Sequence, residues 1–116
     1  MSQLPESAIA FSPPPEYKVW WARTEACSGR PRRPEGIAWY VVPEVSGFMT
    51  SQGQVVAIWS RGTDGARIVI AGAYLASELV VRHEMLHALL DRPDHPPAYF
   101  VDRCHLTRDS WASEGG

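Results

Sequence analysis

The sequence predicts one small α+β domain, and three observations support this fold class. The chain has 116 residues, which is the size of a single domain with a modest core. Three runs rich in β-branched and aromatic residues lie between stretches in which apolar side chains recur at helical spacing. Five Trp, four Tyr and three Phe supply large side chains for the core.

The two ends of the chain are predicted to lie outside the domain. Residues 1–15 are polar and proline-rich, so we expect a flexible tail there. Residues 16–110 are expected to form the domain, and residues 111–116 a loose C-terminal tail.

An N-terminal helix is predicted from residue 16 to about residue 27, because its large side chains share one face. Ser28-Gly29 follows and supplies a helix stop. The residues that share the face, at spacings of three, four, seven and ten, are Tyr17, Trp20, Trp21, Thr24 and Cys27.

Three β-strands are predicted next, at Ile37–Val42, residues 54–60 and residues 66–71. Asp64-Gly65 is a hairpin signal between the second strand and the third. Consecutive strands with short connections usually pair with one another, so we expect a three-stranded, mostly antiparallel meander.

A second helix is predicted from Ser77, as N-cap, to about Asp91, with a break before Pro93. A short C-terminal helix is expected to begin near Pro96-Pro97 and to contain Tyr99-Phe100-Val101.

The second helix carries the motif HExxH as His83-Glu84-Met85-Leu86-His87. Side chains four residues apart project from one face of a helix, one turn apart, so the two imidazoles can chelate one metal ion. Glu84 is then placed beside a water in an open coordination position. The flanks of the motif are apolar, and unpaired polar groups in a buried helix cost several kcal/mol. This context favours a metal site over a chance match on a solvated helix.

A catalytic zinc site holds three protein ligands and a water, so a third ligand is needed. His95 is favoured, because it lies twelve residues after His83 and just past the helix break. Asp94 and Asp91 are the carboxylate alternatives, and His105 could join only if the last helix folds back.

A strand meander, an HExxH helix, a turn and a further histidine followed by an aromatic residue resemble the zincin metallopeptidases. The likeness is to their compact members of the SprT, WLM and YgjP-like type, and it covers about residues 66–101. The pattern of the metzincin branch is absent, since Leu90 and Pro93 stand where that branch has a glycine and its third ligand.

The resemblance implies a zincin-like fold and a zinc-dependent endopeptidase. His83, His87 and His95 would bind Zn²⁺, and Glu84 would be the general base that takes a proton from water and returns it to the leaving amine. By the same resemblance, residues 66–71 would be the sheet edge that binds substrate backbone. The alternative is a noncatalytic zinc-binding or peptidase-like interaction domain.

Charge and hydropathy limit the partners. Eleven basic and thirteen acidic side chains give a formal charge of −2, which does not favour nucleic acid or a membrane surface as the main partner. No apolar run is long enough for a membrane span. We expect a peptide or protein substrate and a monomer.

Cys27 and Cys104 are the two cysteines, and a disulfide between them would clamp the first and last elements of the domain. The alternative is two unrelated buried thiols. The first fifteen residues have neither the basic start nor the apolar run of a signal peptide. A secreted or periplasmic location is therefore expected if the disulfide forms, and a cytoplasmic one otherwise.

Overall fold

Two sheets, three longer helices and one turn of 3-10 helix (Gly72–Tyr74) make up the structure, a computed structural model that describes residues 4–32, 36–63 and 65–107. The predicted α+β class is confirmed. The strands in chain order are β1 (Ile9–Ala10), β2 (Ile37–Val42), β3 (Phe48–Thr50), β4 (Gly53–Val55), β5 (Ala57–Gly62) and β6 (Gly65–Ala71). The helices are α1 (Glu16–Ser28), α2 (Glu78–Leu90) and α3 (Ala98–Arg103).

The main sheet has the strand order β1-β2-β6-β5, and this corrects the predicted meander. β6 lies between β2 and β5, parallel to β2 and antiparallel to β5. The predicted three-stranded, mostly antiparallel sheet is therefore a four-stranded mixed sheet. Burial explains the order, because Ile68, Val69, Ile70 and Ala71 of β6 are all at most 2% exposed. A strand buried on both faces belongs in the centre of a sheet.

The second predicted strand, residues 54–60, divides at Val56 into β4 and β5. β4 pairs with β3 in a separate hairpin, and sequence analysis did not predict β3. Thr50 closes the turn of this hairpin, since its hydroxyl donates to Gly53 O at 2.8 Å and accepts from Gln52 N at 3.1 Å. The β5–β6 turn pairs Gly62 with Gly65, and Asp64 lies outside the described residues.

The segment expected to be an N-terminal tail contains β1, which sequence analysis did not predict. Ile9 and Ala10 pair antiparallel with β2 at the edge of the main sheet. Phe11 then packs edge-on against Tyr17 and Trp39, with ring centroids 6.3 and 6.2 Å apart. Residues 111–116, expected to be a loose tail, lie outside the described residues.

The three helices form where the sequence predicts them. α1 ends at Gly29, whose left-handed φ of 68° suits a residue without a Cβ. α2 begins after Ser77, and its C-cap residue Asp91 is also left-handed with φ 56°. α3 has hydrogen bonds of the π type, as Cys104 N donates to Tyr99 O at 3.0 Å.

α2 is the central helix and is buried on nearly all sides. One set of its side chains packs on the main sheet and α1, and another packs on α3 and the residues after it. The first set is Val80, Val81, Met85, Ala88 and Leu89, and the second is Leu86 and Leu90. Arg82 joins α2 to α1, with its Nε donating to Thr24 Oγ1 at 3.0 Å. The HExxH motif therefore lies inside the domain.

Cys27 and Cys104 form the predicted disulfide. It joins the last turn of α1 to the residue that follows α3, across 77 positions of sequence. The guanidinium of Arg103 reinforces the same junction by donating to Ser28 O at 3.1 Å. No helix in the described ranges is both long enough and apolar enough to cross a membrane.

Reducing the disulfide is expected to lower the free energy of unfolding by about 4 to 5 kcal/mol, because it releases a loop of nearly eighty residues in the unfolded chain. Urea unfolding with and without a phosphine reductant measures this change. The Cys27→Ser/Cys104→Ser variant is the control and should not respond to the reductant. A change below about 1 kcal/mol would contradict the loop-entropy account.

Candidate metal centre

Two buried imidazoles project from one face of α2. His83 and His87 are each 5% exposed, and their ring centroids lie 4.9 Å apart. This is the arrangement expected of residues one helical turn apart. The helix therefore holds two candidate metal ligands on a rigid, buried scaffold.

The loop after α2 brings a third imidazole to the same place. Asp91 ends the helix in a left-handed conformation, and the chain reverses so that the ring centroid of His95 lies 5.1 Å from His83 and 4.8 Å from His87. One candidate ligand atom of each histidine lies within 4.8 Å of the other two. The structure thus unites the three histidines that the sequence singled out.

The geometry of the cluster fits one metal ion. Ligands around a tetrahedral zinc with bonds of about 2.05 Å are separated by about 3.3 Å, so ligand atoms up to 4.8 Å apart would need to approach by up to about 1.5 Å. Of the three histidines, His95 is the exposed one. A set of three imidazoles suits zinc, copper, iron or nickel. The cluster could therefore hold a metal ion, and these distances do not identify which one.

Backbone carbonyls fix the tautomer of both buried rings. His83 Nδ1 lies 2.6 Å from Leu106 O, and His87 Nδ1 lies 2.9 Å from Arg92 O. A carbonyl oxygen only accepts, so each Nδ1 carries the hydrogen, and Nε2 is the acceptor nitrogen of the ring. Metal-binding histidines commonly donate their second nitrogen to such a partner, which orients the ring.

Both buried histidines are neutral at pH 7. Desolvation by burial lowers the pKa of His83 to about 3, although its hydrogen bond to Leu106 O acts in the opposite direction. Burial likewise lowers the pKa of His87 to about 4. Neutral imidazole is the form that binds a metal ion.

Phe100 of α3 packs against the whole cluster. Its ring centroid lies 4.8 Å from His83, 4.8 Å from His87 and 5.0 Å from His95. Sequence analysis placed Phe100 in the short C-terminal helix and did not predict this contact. α3 and the residues after it therefore supply both an apolar wall and, through Leu106, a hydrogen-bond acceptor for the centre.

Glu84 is buried beside the cluster and held by the sheet. It is 5% exposed, lines the same cleft as the histidines and accepts a hydrogen bond from the backbone N–H of Trp59 in β5. Burial raises the pKa of this carboxyl to about 8, against a smaller lowering by the Trp59 N–H. A carboxyl with a pKa near neutrality can both accept and donate a proton.

The other candidate ligands are engaged elsewhere. Both carboxylate oxygens of Asp94 accept from Arg92 at 2.6 Å, and Asp91 accepts from Arg61 Nε at 2.7 Å. His105 is exposed and left-handed, with φ 54°, and is not part of the cluster. Within the described ranges, the three histidines are the only group of three or more such side chains able to share an ion.

The sheet edge next to the centre is β5, and this corrects the prediction that residues 66–71 would be the substrate-binding edge. β6 pairs with β2 on one side and β5 on the other, so it has no edge to offer. Val56 O accepts from Ala71 N, so the backbone N–H and C=O groups of the even-numbered residues from 56 onward face β6. The backbone N–H of Trp59 therefore points to the open edge of β5, where it donates to the carboxyl of Glu84.

A cleft of about 450 Å³ opens over the cluster. One wall is formed by the β3–β4 hairpin and β5, and the other by the loop before α3, α3 itself and the residues after it. His83, Glu84 and His87 lie in its floor and His95 at one side.

The chain matches no protein-family model, no curated protein and no solved structure. The resemblance to zincins consequently stays a prediction from the motif.

Replacing His95 with Ala is expected to weaken zinc binding by tenfold or more, because one of three ligands is lost. His105→Asn is the matched control, since Asn tolerates the left-handed backbone at that position and His105 lies outside the cluster. Competition with a chromophoric chelator measures both affinities. Equal affinities in the two variants would remove His95 from the ligand set and redirect attention to Asp94 or Asp91.

The Cys27→Ser/Cys104→Ser variant is expected to bind zinc about tenfold more weakly than the wild-type chain, because it frees the segment that carries Phe100 and Leu106. The same competition assay measures this at a temperature where circular dichroism shows both proteins folded. An unchanged affinity would show that the Leu106 carbonyl holds its place without the disulfide.

Proposed function

We propose that this chain is a zinc-dependent peptidase of the zincin type. The observation that carries the proposal is the meeting of three imidazoles with the buried Glu84 in one cleft beside a sheet edge. A histidine cluster alone would fit many metal proteins. A carboxyl next to the cluster, together with a sheet edge that can hold an extended peptide, favours hydrolysis of a peptide bond over other roles of a metal ion.

Zinc is the metal we propose for the centre, since three neutral imidazoles are a known ligand set of catalytic zinc. Among the described residues no fourth ligating side chain joins the cluster. A structural zinc site usually has four protein ligands, whereas a catalytic site keeps one position for water or substrate. When bound, zinc supplies a Lewis acid and lowers the pKa of water toward neutrality.

Glu84 is the general base in this proposal. Its carboxylate takes a proton from the attacking water and delivers it to the nitrogen of the leaving amine. The Trp59 N–H orients the carboxylate, and burial keeps its pKa close to neutral. These two features let a single group perform both proton transfers.

The open side of β5 positions the substrate in this proposal. The backbone groups that face this open side belong to Ala57, Trp59 and Arg61. The Trp59 N–H holds Glu84, so the groups that can pair with an extended peptide are the Trp59 carbonyl and the backbone groups of Ala57 and Arg61. Such pairing would hold the peptide along the cleft that contains Glu84. The sequence resemblance to zincins, in which a strand bordering the cleft binds substrate, supports this arrangement.

Glu84→Gln is expected to keep about one zinc per chain and to lower the hydrolysis of a quenched-fluorescence peptide library by about 100-fold or more, because the amide cannot act as a base. Zinc content is measured by elemental analysis and turnover by fluorescence. Glu16→Gln, an exposed change on α1, is the matched control and should leave both unchanged.

The result separates the proposal from its alternative. Unchanged turnover in Glu84→Gln would remove this residue from the mechanism. A wild-type chain that holds zinc tightly but cleaves no peptide would instead support a noncatalytic zinc-binding or peptidase-like interaction domain.

A further inference from the structure

The cleft over the histidine cluster has an uncharged lining. Apart from the histidines and Glu84, the described residues that line it are aliphatic or aromatic, with a proline, a threonine and two glutamines. Four charged side chains that are close in sequence to lining residues form ion pairs with one another, namely Arg61 with Asp91 and Arg92 with Asp94. None of these four residues is part of the lining.

One wall of the cleft also presents an exposed apolar side chain. Four large hydrophobic residues in the described ranges are strongly exposed, and of these only Val101 lines the cleft. Val101 is 47% exposed on α3, one residue after Phe100. On the opposite wall, the half-buried Val56 and Ile58 also line the cleft. Apolar surface is therefore available to a ligand from both sides.

The β3–β4 hairpin adds polar groups to this cleft without adding charge. Gln52 and Gln54 line the cleft, and an amide side chain both donates and accepts hydrogen bonds. These are suitable partners for the backbone N–H and C=O groups of a peptide. A charged substrate side chain, in contrast, would lose hydration, and apart from Glu84 and the histidines the described lining offers it no charged partner.

We infer that this cleft selects peptides with an uncharged, apolar side chain next to the scissile bond, and that Val101 is a specificity-determining residue. The inference rests on the proposed peptidase function and names its substrate class. An apolar side chain buried between Val101 and the β5 wall gains transfer free energy, whereas Asp or Lys in that place is disfavoured. Discrimination of about tenfold to 100-fold is expected from one such contact.

The test uses the zinc-loaded full chain and quenched peptides that differ only at one position beside the cleavage site, which mass spectrometry first locates in a mixed library. We expect kcat/KM for Leu or Phe to exceed that for Asp or Lys by at least about tenfold. Equal values for all four peptides would overturn the inference and leave the peptidase function intact.

Charge substitutions at Val101 test the assigned residue. Val101→Lys should reduce the Leu-to-Asp ratio of kcat/KM by about tenfold, and Val101→Glu should reduce the Leu-to-Lys ratio similarly, because each introduces a counter-ion. Val19→Lys is the matched control, since Val19 is 51% exposed on α1 and does not line the cleft. Unchanged ratios in both Val101 variants, with circular dichroism showing them folded, would overturn the role of Val101.

A wild-type chain that cleaves none of the peptides would refute the proposed function, and binding then decides the inference. Equilibrium dialysis of the same peptides against the zinc-loaded chain measures this. Tighter binding of the Leu and Phe peptides would support an apolar recognition cleft, and equal binding of all four would overturn it.

Discussion

The candidate centre depends on two hydrogen bonds from buried imidazoles to backbone carbonyls. α2 is enclosed by apolar side chains, and polar rings in such a place are costly unless each ring nitrogen has a partner. Leu106 O and Arg92 O accept the Nδ1 hydrogens of His83 and His87. These hydrogen bonds orient the two rings, and the Nε2 atoms are the nitrogens that could coordinate a metal ion.

These two carbonyls tie the centre to distant parts of the fold. Arg92 belongs to the loop that carries His95, so the hydrogen bond of the second ligand also places the third. Leu106 follows Cys104, whose disulfide anchors the C-terminal segment to α1. We therefore expect the stability of the domain and the metal affinity of the candidate centre to be linked through the same short segment, which also brings Phe100 against all three rings.

The sequence revealed those features that depend on local periodicity and on motif spacing. The three helices and the pairing of His83 with His87 could be predicted, because helix stops and four-residue spacing act over a few positions. The disulfide could be predicted because the chain has only two cysteines. The β3–β4 hairpin, the pairing of β1 and the acceptors Leu106 O and Arg92 O could not, since backbone partners leave no mark on residue type. His95 was the favoured third ligand, with Asp94, Asp91 and His105 as alternatives, and among the described residues the structure brings His95 beside His83 and His87.

The difference between the predicted meander and the observed strand order bears directly on the candidate site. Consecutive strands usually pair, so β6 was expected at the edge. The continuous apolar run of β6 is instead buried on both faces, which forces it between β2 and β5 and leaves β5 outermost. Only an outermost strand has backbone groups that are not paired within the sheet, and the Trp59 N–H is one such group, which donates to Glu84. A shift of one residue in the β5–β6 register would turn that N–H into the sheet and leave the carboxyl buried without this donor.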